Sequence, residues 1–360
     1  MQQNILSPSL RGRAGESLPT KKVYNSIDIA KFVAALIVVA VHTHPFGGTE
    51  FDYYANCLGR IAVPFFFVAT SYFFFRREQP DIVAYTKRLG TLYGLWLLIM
   101  SPNVFQRFFV DYEGTLWLQI RHFLHCLFFG ATWWSSWYIM ACIIGVNIVY
   151  YLSRRWRWSN AQLLVLGFVG FVICLLTSGY TEVGRWLMPT PEWEDIHHKM
   201  SIKYYIFPSN SFIVSILYIT MGKIFAESDW QSWRVFRSRR GALAIIIATV
   251  ALGMVEVHLM RWASYKDDVW LWLPLFTLVN FGLLLQTEVK LNPDLGRWLR
   301  NLSILIYILH PFCARYVNPT LFDHKALDLW QFSVSLTESL VVAMLIVWLS
   351  GKISFLKKLY

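Results

Sequence analysis

Residues 28–46 read DIAKFVAALIVVAVHTHPF. Asp28 and Lys31 stand at the start of an uninterrupted apolar run, and His42 and His44 close it before Pro45. About 20 mainly apolar residues suffice to cross the hydrocarbon of a bilayer as a helix. Runs of this kind recur at about 27–46, 58–75, 89–109, 132–152, 161–179, 207–226, 241–260, 269–287, 301–317 and 331–350. A shorter apolar stretch at 115–129 reads as interfacial or re-entrant. The expected fold is all-α: a polytopic membrane bundle of about ten transmembrane helices, spanning residues 25–352. Residues 1–24 and 353–360 are expected to form short cytoplasmic tails, and the first helix to act as an uncleaved signal anchor.

Composition points the same way. Apolar residues make up 56% of the 360 and charged residues 15%, against roughly 25% charged in soluble domains. The mean hydropathy is +0.43. Aromatics reach 17%, and Trp and Tyr favour membrane interfaces. The net charge of +11 is spread over short loops, which fits membrane orientation and not nucleic-acid binding. One set of loops carries Arg76, Arg77, Lys87, Arg88, Arg154, Arg155, Arg157, Arg234, Arg237, Arg239, Arg240, Lys290, Arg297 and Arg300. The opposite set is sparser, so a multi-pass protein of the plasma (inner) membrane is expected, with both termini cytoplasmic. The five cysteines form no CxxC pair and lie in or beside apolar runs, so neither a disulfide framework nor a metal cluster is expected.

Ionisable side chains inside spans are costly and tend to face cavities or functional sites. Lys31 and His42 are separated by eleven positions. That is about three turns and roughly 16 Å along a helix, so they lie near one face. A neutral His at the outer end suits a general base, and a Lys nearer the cytoplasm suits a phosphate or an acyl oxygen. The residues alone equally admit a snorkelling lysine and a histidine at the helix end. His310 follows Tyr307 by three positions, on one face, ahead of Pro311. Glu256 is a carboxylate within an apolar run and a candidate for a pocket. His122-x2-His125 lacks a third ligand nearby, so no metal site is expected. The polar segment Tyr180–Tyr205, with Glu192, Glu194, Asp195, His197 and His198, is either a substrate-facing loop or a solvated connector.

Several segments together resemble one family. Lys31-x10-His42, preceded by Asp28, is similar to the Arg/Lys-x10-His signature in the first helix of acyltransferase family 3, the integral membrane O-acyltransferases. Val63-Pro64-Phe65-Phe66-Phe67 through Thr70-Ser71-Tyr72 resembles the second helix of that family. Trp137-Tyr138 resembles a Trp-aromatic pair opening a middle helix, and Tyr307-Ile308-Leu309-His310-Pro311 a late Y-x-x-H segment. The resemblance runs over the chain after residue 24. The sequence departs from it in having Lys in place of the commoner Arg, and Thr70-Ser71-Tyr72 where Ser-Gly-aromatic is common, which predicts a looser helix contact there. The chain also resembles the membrane half of serine/alanine racemases from vancomycin-resistant bacteria, part of the same broad family. No racemase domain is expected, since the sequence runs only to Tyr360.

The resemblance implies transfer of an acyl group, acetyl above all, from cytoplasmic acetyl-CoA or another acyl-CoA to a hydroxyl of an envelope glycan or lipid-linked sugar. On that basis His42 is the expected base, with Asp28 orienting or balancing Lys31. Lys31, Arg76, Arg77 and Arg88 are expected to bind the donor. Trp137, Tyr138, Glu256, Tyr307 and His310 are expected to line the substrate pocket. The alternative is a membrane transporter for a small molecule such as an amino acid, without acyl chemistry. The expected partners are membrane lipid and the acceptor, and not nucleic acid.

Overall fold

The computed structural model describes residues 24–133, 135–187, 208–264 and 267–360. The 1–23 tail and most of the polar Tyr180–Tyr205 segment, including Glu192, Glu194, Asp195, His197 and His198, lie outside the described residues. The helices are α1 (Asn25–Thr43), α2 (Glu50–Gly59), α3 (Ala62–Phe75), α4 (Ile82–Ile99), α5 (Ser101–Phe105), α6 (Leu116–Phe129), α7 (Ser136–Arg154) and α8 (Asn160–Leu176). They continue with α9 (Thr181–Leu187), α10 (Phe212–Glu227), α11 (Arg239–Met260), α12 (Trp272–Gln286), α13 (Pro293–Phe312), α14 (Asn318–Phe322) and α15 (Leu329–Ser350). The described residues contain no strand. The fold is therefore an all-α bundle.

Each expected apolar run falls on a helix, and the stretch at 115–129 is α6. By length and composition, five stretches among the described residues suffice to cross a membrane: α1, α2 with α3 as one run over Glu50–Phe75, α7, Arg239–Ala263 and α15. The pair α8 and α9 would make a sixth, bent by 102°. Only 17% of the apolar stretch is buried in α11 and in α15. Leu243, Ile247, Leu252 and Leu259 of α11 and Val341, Leu345 and Trp348 of α15 point outward. Water would not tolerate such continuous apolar faces on a monomer, whereas lipid does. Trp117, Trp186, Trp262 and Trp330, at helix ends, are also exposed, as rings at a headgroup level should be.

Helix α10 is the centre of one half. It packs on α3, α7 and α8, and glycines allow the close approach. A Cβ at Gly167 of α8 would sit 2.6 Å from Leu217 Cα, and one at Gly145 of α7 would sit 2.6 Å from Ile219 Cδ1 and collide with Ser215. A Cβ at Gly222 of α10 would collide with Ser71 Oγ and the Val68 carbonyl of α3. The contact expected to loosen at Thr70-Ser71-Tyr72 is therefore close, because α10 supplies the glycine. In the other half α1 packs on α13 and α3, and α13 on α15. Residues 353–360, read as a tail, fold back onto the bundle. Trp96 Nε1 donates to the Leu359 carbonyl at 3.1 Å, and the Tyr360 hydroxyl meets Ser350 Oγ at 2.6 Å.

Candidate active site

Helix α1 opens onto two cavities, one near each end. The cavity at the Lys31 end, about 340 Å³, lies among α1, α3, α4, α7 and α13. Four cations line it: Lys31, Arg77, Arg88 and Arg300. The three arginines are exposed, so this is the solvent-facing mouth. Lys31 Nζ stands 4.8 Å from the centre of the Phe73 ring. Among the described residues, Lys31, Arg77 and Arg88 have no carboxylate within ion-pair distance. Arg300 donates to buried Asp28 at 3.2 Å. Deeper in, the walls become aromatic, with Phe66, Tyr138 and Tyr307. Tyr138 is fixed by a 3.1 Å hydrogen bond to Thr70 and by packing on Phe67 at 4.9 Å.

The second cavity, about 70 Å³, contains His42 with Arg60, Asp268 and Trp137. Arg60 Nη1 pairs with Asp268 Oδ1 at 2.6 Å and Nη2 donates to Asn56 at 2.7 Å. Asn56 in turn donates to the Val41 carbonyl at 2.8 Å, tying this network to the residue before His42. Tyr307 lines both cavities. Neighbouring aromatics divide between them: Phe66 and Tyr138 face the first, Phe67 and Trp137 the second. Tyr307 and these neighbouring aromatics therefore stand between the Lys31 side and the His42 side.

At that level the rings of His42 and His310 stack, with centroids 5.2 Å apart and planes at 29°. His310 is wholly buried, and its Nδ1 lies 3.1 Å from the Ile306 carbonyl. A carbonyl can only accept, so Nδ1 carries the hydrogen and the neutral ring has its lone pair on Nε2. Nε2 is buried without a hydrogen-bond partner. His44 occupies a different place. It adopts a left-handed backbone (φ 49°) beyond α1 and binds Asp52 at 2.7 Å through Nδ1.

The sequence-derived candidates separate into groups. Lys31, Arg77, Arg88, Tyr138 and Tyr307 share the first cavity, and His42, Trp137 and Tyr307 the second. Asp28 stands behind the first cavity, paired to Arg300 instead of to Lys31. Arg76 stacks on Tyr24 and Tyr72, at 4.8 and 5.7 Å. Glu256 is placed elsewhere. Its carboxylate accepts from the Leu271 and Trp272 amides at 2.7 and 3.2 Å and from Tyr180 at 3.0 Å, and so caps the start of α12. His122 stacks on Tyr112 with centroids 4.6 Å apart, and His125 faces Phe129. Arg300 was missed as a site residue, having counted only as a loop charge. Its signal was present: Arg300, Ser303, Ile304 and Tyr307 follow helical spacing and all line the first cavity.

Residues 24–350 match the model of an acyltransferase domain, that of acyltransferase family 3. The chain belongs to this family. A curated relative from Enterococcus faecalis, named an amino-acid racemase, is 26% identical over 317 residues, covering 82% of this chain and 41% of its own length. A second protein of the same name and organism is 30% identical over 148 residues, covering 39% of this chain and 20% of its own length. The chain thus spans less than half the length of these relatives. No solved structure matches it. As an acyltransferase-family membrane protein, it places Lys31 and His42 of its first helix on two cavities that share Tyr307.

Proposed function

We propose that the protein transfers an acyl group, acetyl in the first instance, from a cytoplasmic acyl-CoA to a hydroxyl of an envelope glycan or lipid-linked sugar. The observation that carries this reading is the first cavity: four cations at an open mouth, an aromatic interior, and Tyr307 as the wall towards His42 and His310. Coenzyme A is polyanionic at one end and carries its thioester at the other. Lys31, Arg77, Arg88 and Arg300 suit the phosphates, since charge-assisted hydrogen bonds are the stronger kind. The aromatic interior suits the uncharged arm. Both tails lie on the donor side, the membrane is crossed about ten times, and the acceptor arrives from the opposite side.

The chemistry follows from the histidine pair. The acceptor hydroxyl attacks the thioester carbonyl, and its proton passes to the imidazole of His42. The C–O bond forms, the C–S bond breaks, and coenzyme A leaves as the thiol after receiving a proton. His310, with Nδ1–H held by Ile306, stacks on His42 and positions its ring. Asp28 positions Arg300. The test is mass spectrometry of envelope glycans from cells with and without the protein. A difference of one acyl mass is expected, and identical spectra would remove this function. One finding favours a second reading, uptake of a small molecule such as an amino acid: the relatives are named amino-acid racemases. Release of thiol from acetyl-CoA by the purified protein separates the two readings.

A further inference from the structure

A third and larger cavity, about 510 Å³, lies on the His42 side of the bundle, between the α4–α6 connection and the end of α13. Two π-helical segments border it, Gln106–Val110 and Cys313–Val317. Such turns are rare and often mark functional sites. Each contributes an arginine to the wall, Arg107 and Arg315. Arg107 is itself anchored by the Ala131 carbonyl at 3.0 Å. The two guanidinium groups lie close enough to act on one another electrostatically. The cavity also has one carboxylate, Asp111, which is held by the Gln106 amide at 2.7 Å.

A second feature points to a ligand. Trp133 lines this cavity, is only 9% exposed, and is locked by stacking on Tyr93 at 4.9 Å. Its indole N–H is buried without a hydrogen-bond partner. A buried donor left unsatisfied is costly, and a hydroxyl or anionic oxygen in the cavity would satisfy it. The cavity also touches the catalytic level. Ile308 lines both it and the donor cavity, and Pro311 next to His310 lines it too.

We propose that this cavity is the acceptor subsite, and that the acceptor is a sugar carrying an anionic group, a carboxylate or a phosphate, beside the hydroxyl that is acylated. This rests on the acyl-transfer reading above. Arg107 and Arg315 hold the anion, and Trp133 donates to a ring oxygen or hydroxyl.

The full-length protein in detergent is titrated with glucose, glucuronate and glucose 6-phosphate, with thermal unfolding giving each apparent dissociation constant. Glucuronate or glucose 6-phosphate should bind about tenfold or more tightly than glucose, the scale of one charge-assisted contact. Their order tells a carboxylate-bearing acceptor from a phosphate-bearing one. Arg315→Gln should bring the charged sugars to the level of glucose, and Arg155→Gln, at the opposite end of the bundle, should change nothing. Arg107→Gln sacrifices the anchor to Ala131, so Arg107→Lys, which keeps the charge and should keep most of the preference, controls for misfolding. Equal binding of the three sugars, no binding of any, or a charged-sugar preference that survives Arg315→Gln would overturn the proposal. Acetyl-CoA turnover is measured on the same preparation. Its absence beside intact charged-sugar binding would sink the transfer reading alone.

Discussion

Replacing Lys31 by alanine should raise the dissociation constant for acetyl-CoA by roughly 5- to 30-fold. Among the described residues its ammonium has no carboxylate within ion-pair distance; it stands 4.8 Å from the centre of the Phe73 ring, and Asp28, paired to Arg300, acts on it only at longer range, so its charge is available to a phosphate. A hydrogen bond to a charged group contributes about 1.5–3 kcal/mol. The mouth is open to water, and Arg77, Arg88 and Arg300 remain. Screening therefore lowers the expectation to about 1–2 kcal/mol. Lys31→Arg keeps the charge and should weaken binding far less. Asp28→Asn is the informative counterpart: it releases Arg300 from its 3.2 Å pair and removes a negative charge behind the cavity, so donor binding should hold or tighten. The assay is equilibrium binding of radiolabelled acetyl-CoA to purified protein in detergent. Unchanged affinity in Lys31→Ala would refute the donor assignment of this cavity, and weakened affinity in Asp28→Asn would show that Asp28 acts through Lys31 instead.

Three further outcomes are expected. Gly222→Val should destabilise the protein by on the order of 3 kcal/mol, as overpacking against Ser71 and Val68. Gly90→Ala on α4, whose Cβ meets open space, should be neutral or slightly stabilising; thermal unfolding midpoints compare the two. A reporter fused after Tyr360 should read cytoplasmic and one inserted near Glu194 extracytoplasmic, and finding both on one side would overturn the ten-span topology. Asp328 caps α15 by accepting from the Gln331 amide at 2.8 Å, and that bond holds its carboxyl below the usual carboxylate range. Its stabilising effect is present above the ordinary carboxylate pKa and is lost as pH falls through the lowered one. Asp328→Ala should cost about 1 kcal/mol at neutral pH and flatten that part of the acid-unfolding curve.

The bundle was legible because hydrocarbon demands long apolar runs, and those runs end where the helices do: 241–260 against Arg239–Met260, and 331–350 against Leu329–Ser350. The run at 89–109 was less faithful. Its helix begins earlier, at Ile82, where Asp81 accepts from the Ala84 amide, and it breaks at Met100 ahead of Pro102. Hydropathy registers neither a cap nor a break. Lys31 and His42 stood out because charge within an apolar run is costly. Glu256 stood out for the same reason, yet its carboxylate caps α12, a tertiary partnership that one helix's pattern cannot reveal. Arg300 was hidden for the converse reason: the apolar run begins only at 301, so the arginine before it resembles a loop charge, whereas the helix starts at Pro293 and carries Arg300 about two turns in, beside Lys31. The stacking of His42 on His310 joins two helices 268 positions apart, and no local spacing encodes it.

In the proposed reaction His42 takes the proton from the acceptor. The most direct test of this role is single-turnover acyl transfer from acetyl-CoA, followed as thiol release and acylated product, in wild type, His42→Ala and His44→Ala. Removing a general base typically costs on the order of 10²–10⁴ in rate. His42→Ala should fall by that amount with acetyl-CoA binding intact. His44→Ala should lose little, because His44 lies beyond the helix and is held by Asp52. Near-normal transfer in His42→Ala with transfer lost in His44→Ala would move the base to His44, and near-normal transfer in both would exclude a general base on the first helix.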